Sequence, residues 1–218
     1  MTRLRRAKLL DLAAASPLIA WYVFAIGGLA IQIAAVPRKL LAAEALAIAG
    51  QVATMIFLGL QITLFAIRHP PIRKSEGLLP RLFALVGANL AMAFLLLPRA
   101  DPGPALLSLA YILVAMGTLA SAWIAFRLGA GYGVLPHARK LVTTGPYRRI
   151  RHPLYLAEQV ATLGILIQYR QPWAAILGIA VFAAQIPRMH YEERVMAEAF
   201  PEYRIYAART FRLIPGVY

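Results

Sequence analysis

Residues 160–188 read VATLGILIQYRQPWAAILGIAVFAAQIPR, and this stretch decides how the chain folds. Two apolar runs, 154–168 and 172–187, are separated only by Tyr169, Arg170 and Gln171. So short a connection forces the two runs to double back as a tight helical hairpin. Pro172 suits the first turn of the returning helix, where its missing N–H would have had no partner. Whatever precedes residue 154 and whatever follows 187 must therefore meet at one end of the hairpin.

Working outward, four more apolar segments appear, at roughly 17–36, 42–67, 82–97 and 105–126. The 218-residue chain is 61% hydrophobic, with a mean hydropathy of +0.65. A soluble domain is nearer half apolar, so this excess calls for lipid. The second and fourth segments are long enough to cross a bilayer with some tilt. The third, fifth and sixth fall short of the usual ~20 residues. The expected fold is all-α: a polytopic transmembrane protein with about six membrane-embedded helices, the last two forming the hairpin. Residues 1–126 would supply about four spans. Residues 127–218 would add a loop, the hairpin and a C-terminal tail to the same integrated membrane domain. Asp11 and Pro17 interrupt the layout of a cleaved signal peptide, so the first segment is expected as a retained helix.

The 23 Lys and Arg outnumber the 9 Asp and Glu, giving a net charge of +14. All of these cations flank the apolar segments. All but Arg38, Lys39, Arg99 and Arg170 fall in alternate loops and the two termini. By the positive-inside rule, both termini are then cytoplasmic. The basic face would meet anionic headgroups rather than nucleic acid, because the charges hug segment ends. Cysteine is absent, and the histidines at 69, 137, 152 and 190 are scattered without an HExxH pair, so no metal site is expected. The GAGYG at 129–133 follows an apolar helix rather than a strand, which rules out a dinucleotide-binding turn.

The densest polar cluster is GPYRRIRHPLYLAEQ, residues 145–159, at the start of the fifth segment. Pro153 is well placed to open a helix. Unpaired N–H groups there, beside Arg151 and His152, would form an anion site. Ordinary basic residues at a span end explain Arg151 and His152 equally well, and explain Arg148 and Arg149 better. Glu158 lies within the first turns of an apolar helix, where a carboxylate is costly unless paired or solvated. Arg151 and Arg188 are its candidate counter-charges. A structural ion pair and a working carboxylate are equally compatible with that position. The hairpin returns a second group, RMHYEERV at 188–195, to the same end, so Arg188, Glu192 and Arg194 are expected to face the first cluster. Tyr203 and Tyr206 are expected as interface anchors of an amphipathic tail.

RHPLY at 151–155, followed after the hairpin by EE at 192–193, resembles the signature of the isoprenylcysteine carboxyl methyltransferase family, whose wider group includes phospholipid N-methyltransferases. LVTTGPY, AFPEYRIY and LIP are also similar to the family's pattern, and the match covers about residues 139–215. The resemblance implies an integral membrane enzyme that uses S-adenosylmethionine. Carried over by position, Lys140, Leu141, Val142, Tyr147, His152, Tyr155 and Glu192 would line the cofactor site. Arg188 matches an arginine on the substrate side. Arg151 and Glu193 belong to the signature and complete the cofactor-binding set.

In-line methyl transfer chiefly needs its partners aligned. Faces of Tyr147 or Tyr155 would favour a positive sulfur, and Glu158 is the candidate base if the acceptor is an amine. Ala157 stands where the family tends to have glycine. Relatives with an acid at the Glu158 position include reductase-type members, so an NADPH-dependent reductase of a sterol- or polyprenyl-like double bond stays open. A non-catalytic membrane subunit stays open too. The acceptor, whether carboxylate, amine or thiol, is expected to be a membrane lipid or another lipophilic molecule. The Ala-, Leu- and Arg-rich composition points to a GC-rich bacterial genome, hence an inner-membrane location.

Overall fold

The computed structural model describes residues 3–36 and 42–216. Arg38 and Lys39, two of the minority-side cations, lie outside the described residues. The described chain is mostly helical. Its α-helices are α1 (Arg3–Ala34), α2 (Ala42–Ile67), α3 (Leu79–Asn89), α4 (Pro104–Leu128), α5 (Pro153–Gln168), α6 (Trp173–Ala199) and α7 (Tyr203–Ala208). Proline occupies the first turn of α3, α4 and α5, where it is tolerated because no intrahelical bond is lost. A 3-10 stretch, Leu90–Leu96, extends α3.

Four helical stretches are long and apolar enough to cross a membrane: Lys8–Ala34, Glu44–Ile67, Leu79–Leu96 and Pro104–Gly131. Large apolar side chains such as Phe24, Leu96 and Phe126 point outward on them, as lipid-facing helices require. By length alone α5, at 16 residues, is too short to cross unaided, and α6 gives up its C-terminal turns to Arg188, Glu192, Glu193, Arg194 and Glu198.

The two ends of the helical array are chemically distinct. At one end sits the hairpin tip. There Arg170 N donates to Pro98 O and Ala100 N to Gln168 O, tying the tip to the turn after α3. The rings of Phe94 and Tyr169 pack beneath it in a tilted pair, 5.7 Å apart. At the other end, two short strands, β1 (Arg73–Lys74) and β2 (His137–Ala138), pair antiparallel with Lys74 opposite His137. This ladder was not expected of an all-α chain. It forms because both connections run along the same rim and satisfy each other's backbone groups.

The hairpin itself is not a closely packed pair. Its legs meet near the tip, where Gly178 lies against Leu166, but α5 packs chiefly on α4. That contact depends on two glycines. A Cβ on Gly117 would stand 2.4 Å from Ala161 N, and one on Gly164 would stand 2.5 Å from Ala110 O. Small residues let helix backbones approach this closely, and in lipid such van der Waals contact is what holds helices together. The small-residue face of α4 is thus used within the chain. Away from the tip, α6 diverges from the α4–α5 pair and leaves room for a cavity.

Gly164→Ala is expected to destabilise the protein by about 1–3 kcal/mol, the usual cost of overpacking, because backbone on α4 must shift. Gly59→Ala, where an added Cβ meets nothing within 4 Å, is expected to hold or raise stability through helix propensity. Thermal unfolding of both variants in the same detergent checks the contrast.

Candidate functional site

The space between α6 and the α4–α5 pair forms a cavity of about 460 Å³, within the usual range of about 300–1,000 Å³ for small-molecule sites. The eleven residues expected as catalytic or cofactor-binding all line it: Lys140, Leu141, Val142, Tyr147, Arg151, His152, Tyr155, Glu158, Arg188, Glu192 and Glu193. Their geometry divides them into a scaffold and a working surface.

The scaffold is centred on Glu193. Its Oε1 accepts from Arg151 Nε at 2.9 Å and Arg212 Nε at 3.0 Å, with His152 Nε2 at 3.1 Å. Its Oε2 accepts from Arg212 Nη2 at 2.8 Å. One carboxylate thereby joins the start of α5, the end of α6 and the C-terminal tail. Burial alone would raise its pKa, but the bonds from His152 and Arg212 and the charge of Arg151 hold it well below the usual carboxylate range. Arg151 also donates to Thr210 O at 2.6 Å. The backbone N–H groups of Arg151 and His152 donate to Phe211 O and Arg212 O at 2.8 and 3.0 Å. The two residues beside the expected anion site at the helix start thus give their own backbone N–H groups to the tail.

The working surface runs along one side of α6. Arg188 Nε lies 3.3 Å from Glu192 Oε1, and Tyr155 Oη donates to the same oxygen. Arg188 also sits over the Tyr155 ring, 4.8 Å from its centroid, while that ring stacks on His152 at 5.4 Å. Tyr155 is thus occupied as a packing partner of Arg188 and His152, and its ring is not an open face for a positive ligand. Glu158 is paired with neither Arg151 nor Arg188. It accepts from Gln185 Nε2 at 3.1 Å, and Gln185 in turn accepts from Gln159 Nε2 at 2.8 Å. The reason is competition: Arg151 is committed to Glu193 and the tail, and Arg188 to Glu192. Arg194 does not join the cluster; it is exposed and pairs with Glu198 one turn along. Arg148 and Arg149 are exposed as well.

The wall also contains residues that the sequence did not assign to the site. Tyr203 and Tyr206 line the cavity, with Tyr203 buried and the two rings 5.8 Å apart edge to face. Tyr206 Oη donates to Tyr147 O at 2.7 Å. Expected as interface anchors, they instead form part of the cavity wall. Burial pushes Tyr206 up to about 12, so its phenol stays a neutral donor. From the apolar helices come Trp21, Tyr22, Phe57 and Gln61. Gln61 is buried and accepts from Tyr132 Oη. An amide inside an apolar run was a signal available in the sequence; the aromatics gave none, since they look like any lipid-facing side chain.

These residues provide what S-adenosylmethionine would need. Glu192 Oε1 is held by Tyr155 and Arg188, leaving Oε2, with His152 Nδ1 3.8 Å away, for a hydroxyl or an ammonium. Arg188 Nε is buried without a hydrogen bond of good geometry, and Tyr147, Tyr203 and Tyr206 offer aromatic surface.

Residues 106–203 match the model of the phospholipid methyltransferase family. The matched segment is similar to that family and makes up 98 of the 218 residues. The segment runs from α4 through the hairpin to the first residue of α7, and the resemblance carried by RHPLY and EE holds. The family is one of membrane methyltransferases. Two curated relatives are also similar. One is the cobalt-zinc-cadmium resistance protein CzcN of Cupriavidus metallidurans, 34% identical over 114 residues. The other is the nickel-cobalt-cadmium resistance protein NccN of Alcaligenes xylosoxydans xylosoxydans, 34% identical over 113 residues. Each match covers 51% of this chain and 50% of the relative, so the chain spans about half the length of the curated relatives it matches.

The Glu193 clamp has a pH signature. Its folded carboxylate resists protonation, while the unfolded one takes up a proton near pH ~4.3. The stability it contributes is therefore complete above that value and is lost as pH falls below it. Glu193→Gln is expected to lower the melting temperature at pH 7 and to flatten its decline between pH 6 and pH 3. Thermal unfolding across that range checks both effects.

Proposed function

We propose that the protein is an S-adenosylmethionine-dependent methyltransferase of the membrane, acting on a lipophilic acceptor at the cytoplasmic face. The observation that carries this reading is the convergence of Tyr155, Arg188 and Glu192 on one cavity inside a segment similar to the phospholipid methyltransferase family. The cavity's polar end, beside Lys140 and the tail, suits the cofactor. Its apolar end, beside Trp21, Tyr22 and Phe57, suits a lipid entering laterally between helices. The hairpin would be membrane-embedded, which brings the embedded helices to about six. With both termini cytoplasmic, the cofactor end would open on the compartment that holds the cofactor.

When bound, S-adenosylmethionine supplies an electrophilic methyl group on a sulfonium. The chain's own residues bind, orient and exclude water. Glu192 Oε2 takes a ribose hydroxyl or the ammonium, while Arg188 and Tyr155 fix the rotamer of that carboxylate. His152, Arg151 and Glu193 hold the start of α5 so that this geometry persists. Leu141 and Val142 supply apolar wall, and Tyr147, Tyr203 and Tyr206 shield the charged centre from water. Arg188 is the group that would orient an acidic acceptor. A carboxylate acceptor needs no base. An amine or thiol must lose a proton, and Glu158, with a single neutral donor on its carboxylate, would take it.

Glu192→Gln is expected to weaken S-adenosylmethionine binding by about tenfold or more, the loss of a hydrogen bond to a charged group, measured by calorimetry on the purified protein. Incubation with methyl-labelled cofactor and a native lipid extract is expected to label one lipophilic species. Stabilisation by NADPH and not by S-adenosylmethionine would sink the reading in favour of a reductase. Cofactor binding without any labelled product would favour a non-catalytic subunit.

A further inference from the structure

A second cavity, of about 380 Å³, lies behind the wall of the first, between α1, the end of α2 and the β2 segment. Its helix side is apolar, formed by Leu10, Ala14, Ala15, Leu18 and Phe65. Its other side is cationic. Arg68 and Arg139 are 7% and 4% exposed, and both bind the single carboxylate of Asp11. Arg68 Nε donates at 2.7 Å and Arg139 Nη2 at 2.8 Å.

Two buried guanidiniums on one carboxylate leave an excess positive charge, and uncompensated buried charge is costly. Lys74 adds a third cation at the rim. Hydrogen bonding is incomplete in the same direction. Arg139 Nε and both ring nitrogens of His137 are buried without a partner. Burial, with Arg139 and Lys74 close by, pushes His137 down to about 4, so the ring is neutral and offers one N–H. The site therefore holds surplus donors and surplus positive charge beside an apolar wall. That wall belongs to α1 and α2, which are long and apolar enough to cross a membrane. Exposed Leu10 and Lys74 form the rim, one apolar and one cationic, as a lipid–water boundary requires.

We propose that this cavity binds an anionic phospholipid of the surrounding bilayer, its phosphate on Arg139, His137 and Lys74 and its acyl chain along α1 and α2. The site is separate from the methyl-transfer cavity, and the proposal does not rest on that activity. The two cavities share a wall, Val134, Leu135, His137 and Arg139, which line both. A lipid in the second cavity therefore braces a segment of the first, where Arg188 Nη2 donates to Val134 O at 3.2 Å.

The test uses the full chain purified in detergent. Phosphatidylglycerol, phosphatidylcholine of matched acyl chains, and inorganic phosphate are titrated separately. Lipid retention is read by native mass spectrometry, and backbone protection by hydrogen exchange. Phosphatidylglycerol is expected to bind in preference to phosphatidylcholine and to slow exchange over residues 134–139. Lys74→Ala, a change at an exposed position, is expected to weaken phosphatidylglycerol about fivefold, the contribution of one cation near an anionic headgroup. Lys74→Glu is expected to abolish the preference. Equal binding of the two lipids overturns the proposal, as does protection away from 134–139 or a preference that survives Lys74→Glu. Full protection by inorganic phosphate alone would assign the site to a free anion and overturn the lipid.

Discussion

The carboxylate of Glu193 is the joint on which the rest of this site depends. It sits on α6, yet its partners are Arg151 and His152 at the start of α5 and Arg212 in the tail. It thereby ties three separate parts of the sequence together. A partly buried carboxylate needs this many donors to offset its desolvation. The bonds that satisfy it also fix the distance between α5 and α6 where they diverge. Glu192, next along the chain, projects into the cavity because Glu193 is anchored on the other side of it.

That separation is only useful because the opposite boundary is rigid. Gly117 and Gly164 bring α4 and α5 into backbone contact, so α5 cannot relax toward α6 and fill the gap. In lipid there is no hydrophobic drive to close a space between helices, and close packing elsewhere decides where space remains. The cavity follows from two opposed constraints, a tight seam on one side of α5 and an ionic clamp at its start. Its contents then sort by distance from the membrane face, with Glu192 and the tail tyrosines toward the rim and Trp21 and Phe57 on the bilayer-crossing helices.

Much of this was legible in the sequence, for identifiable reasons. The three-residue tip forced the hairpin, and the hairpin forced RHPLY and EE to one end. The eleven residues of the expected site line the cavity, whereas Arg194, expected beside them, is exposed and pairs with Glu198. Partners were less legible than positions. Arg188 was an obvious counter-charge for Glu158, but Glu192 lies one helical turn from it and takes it instead, leaving Glu158 to Gln185. Arg151 was the other candidate counter-charge for Glu158, but its donors go to Glu193 and to the tail, which no local pattern ties to α5. Tyr203 and Tyr206 looked like interface tyrosines because an amphipathic tail reads the same whether it lies on lipid or folds over a cavity.

By itself the sequence determined the helices, the hairpin and the polar end of the array. These follow from apolar run length, proline position and the cost of charge in lipid, which act locally along the chain. The tertiary structure alone decided which carboxylate holds the scaffold and which faces the cavity, and it alone showed that Asp11 serves two arginines beside a second cavity. Those outcomes turn on competition among charges that are far apart in sequence and a few ångströms apart in space. Only the fold sets those distances.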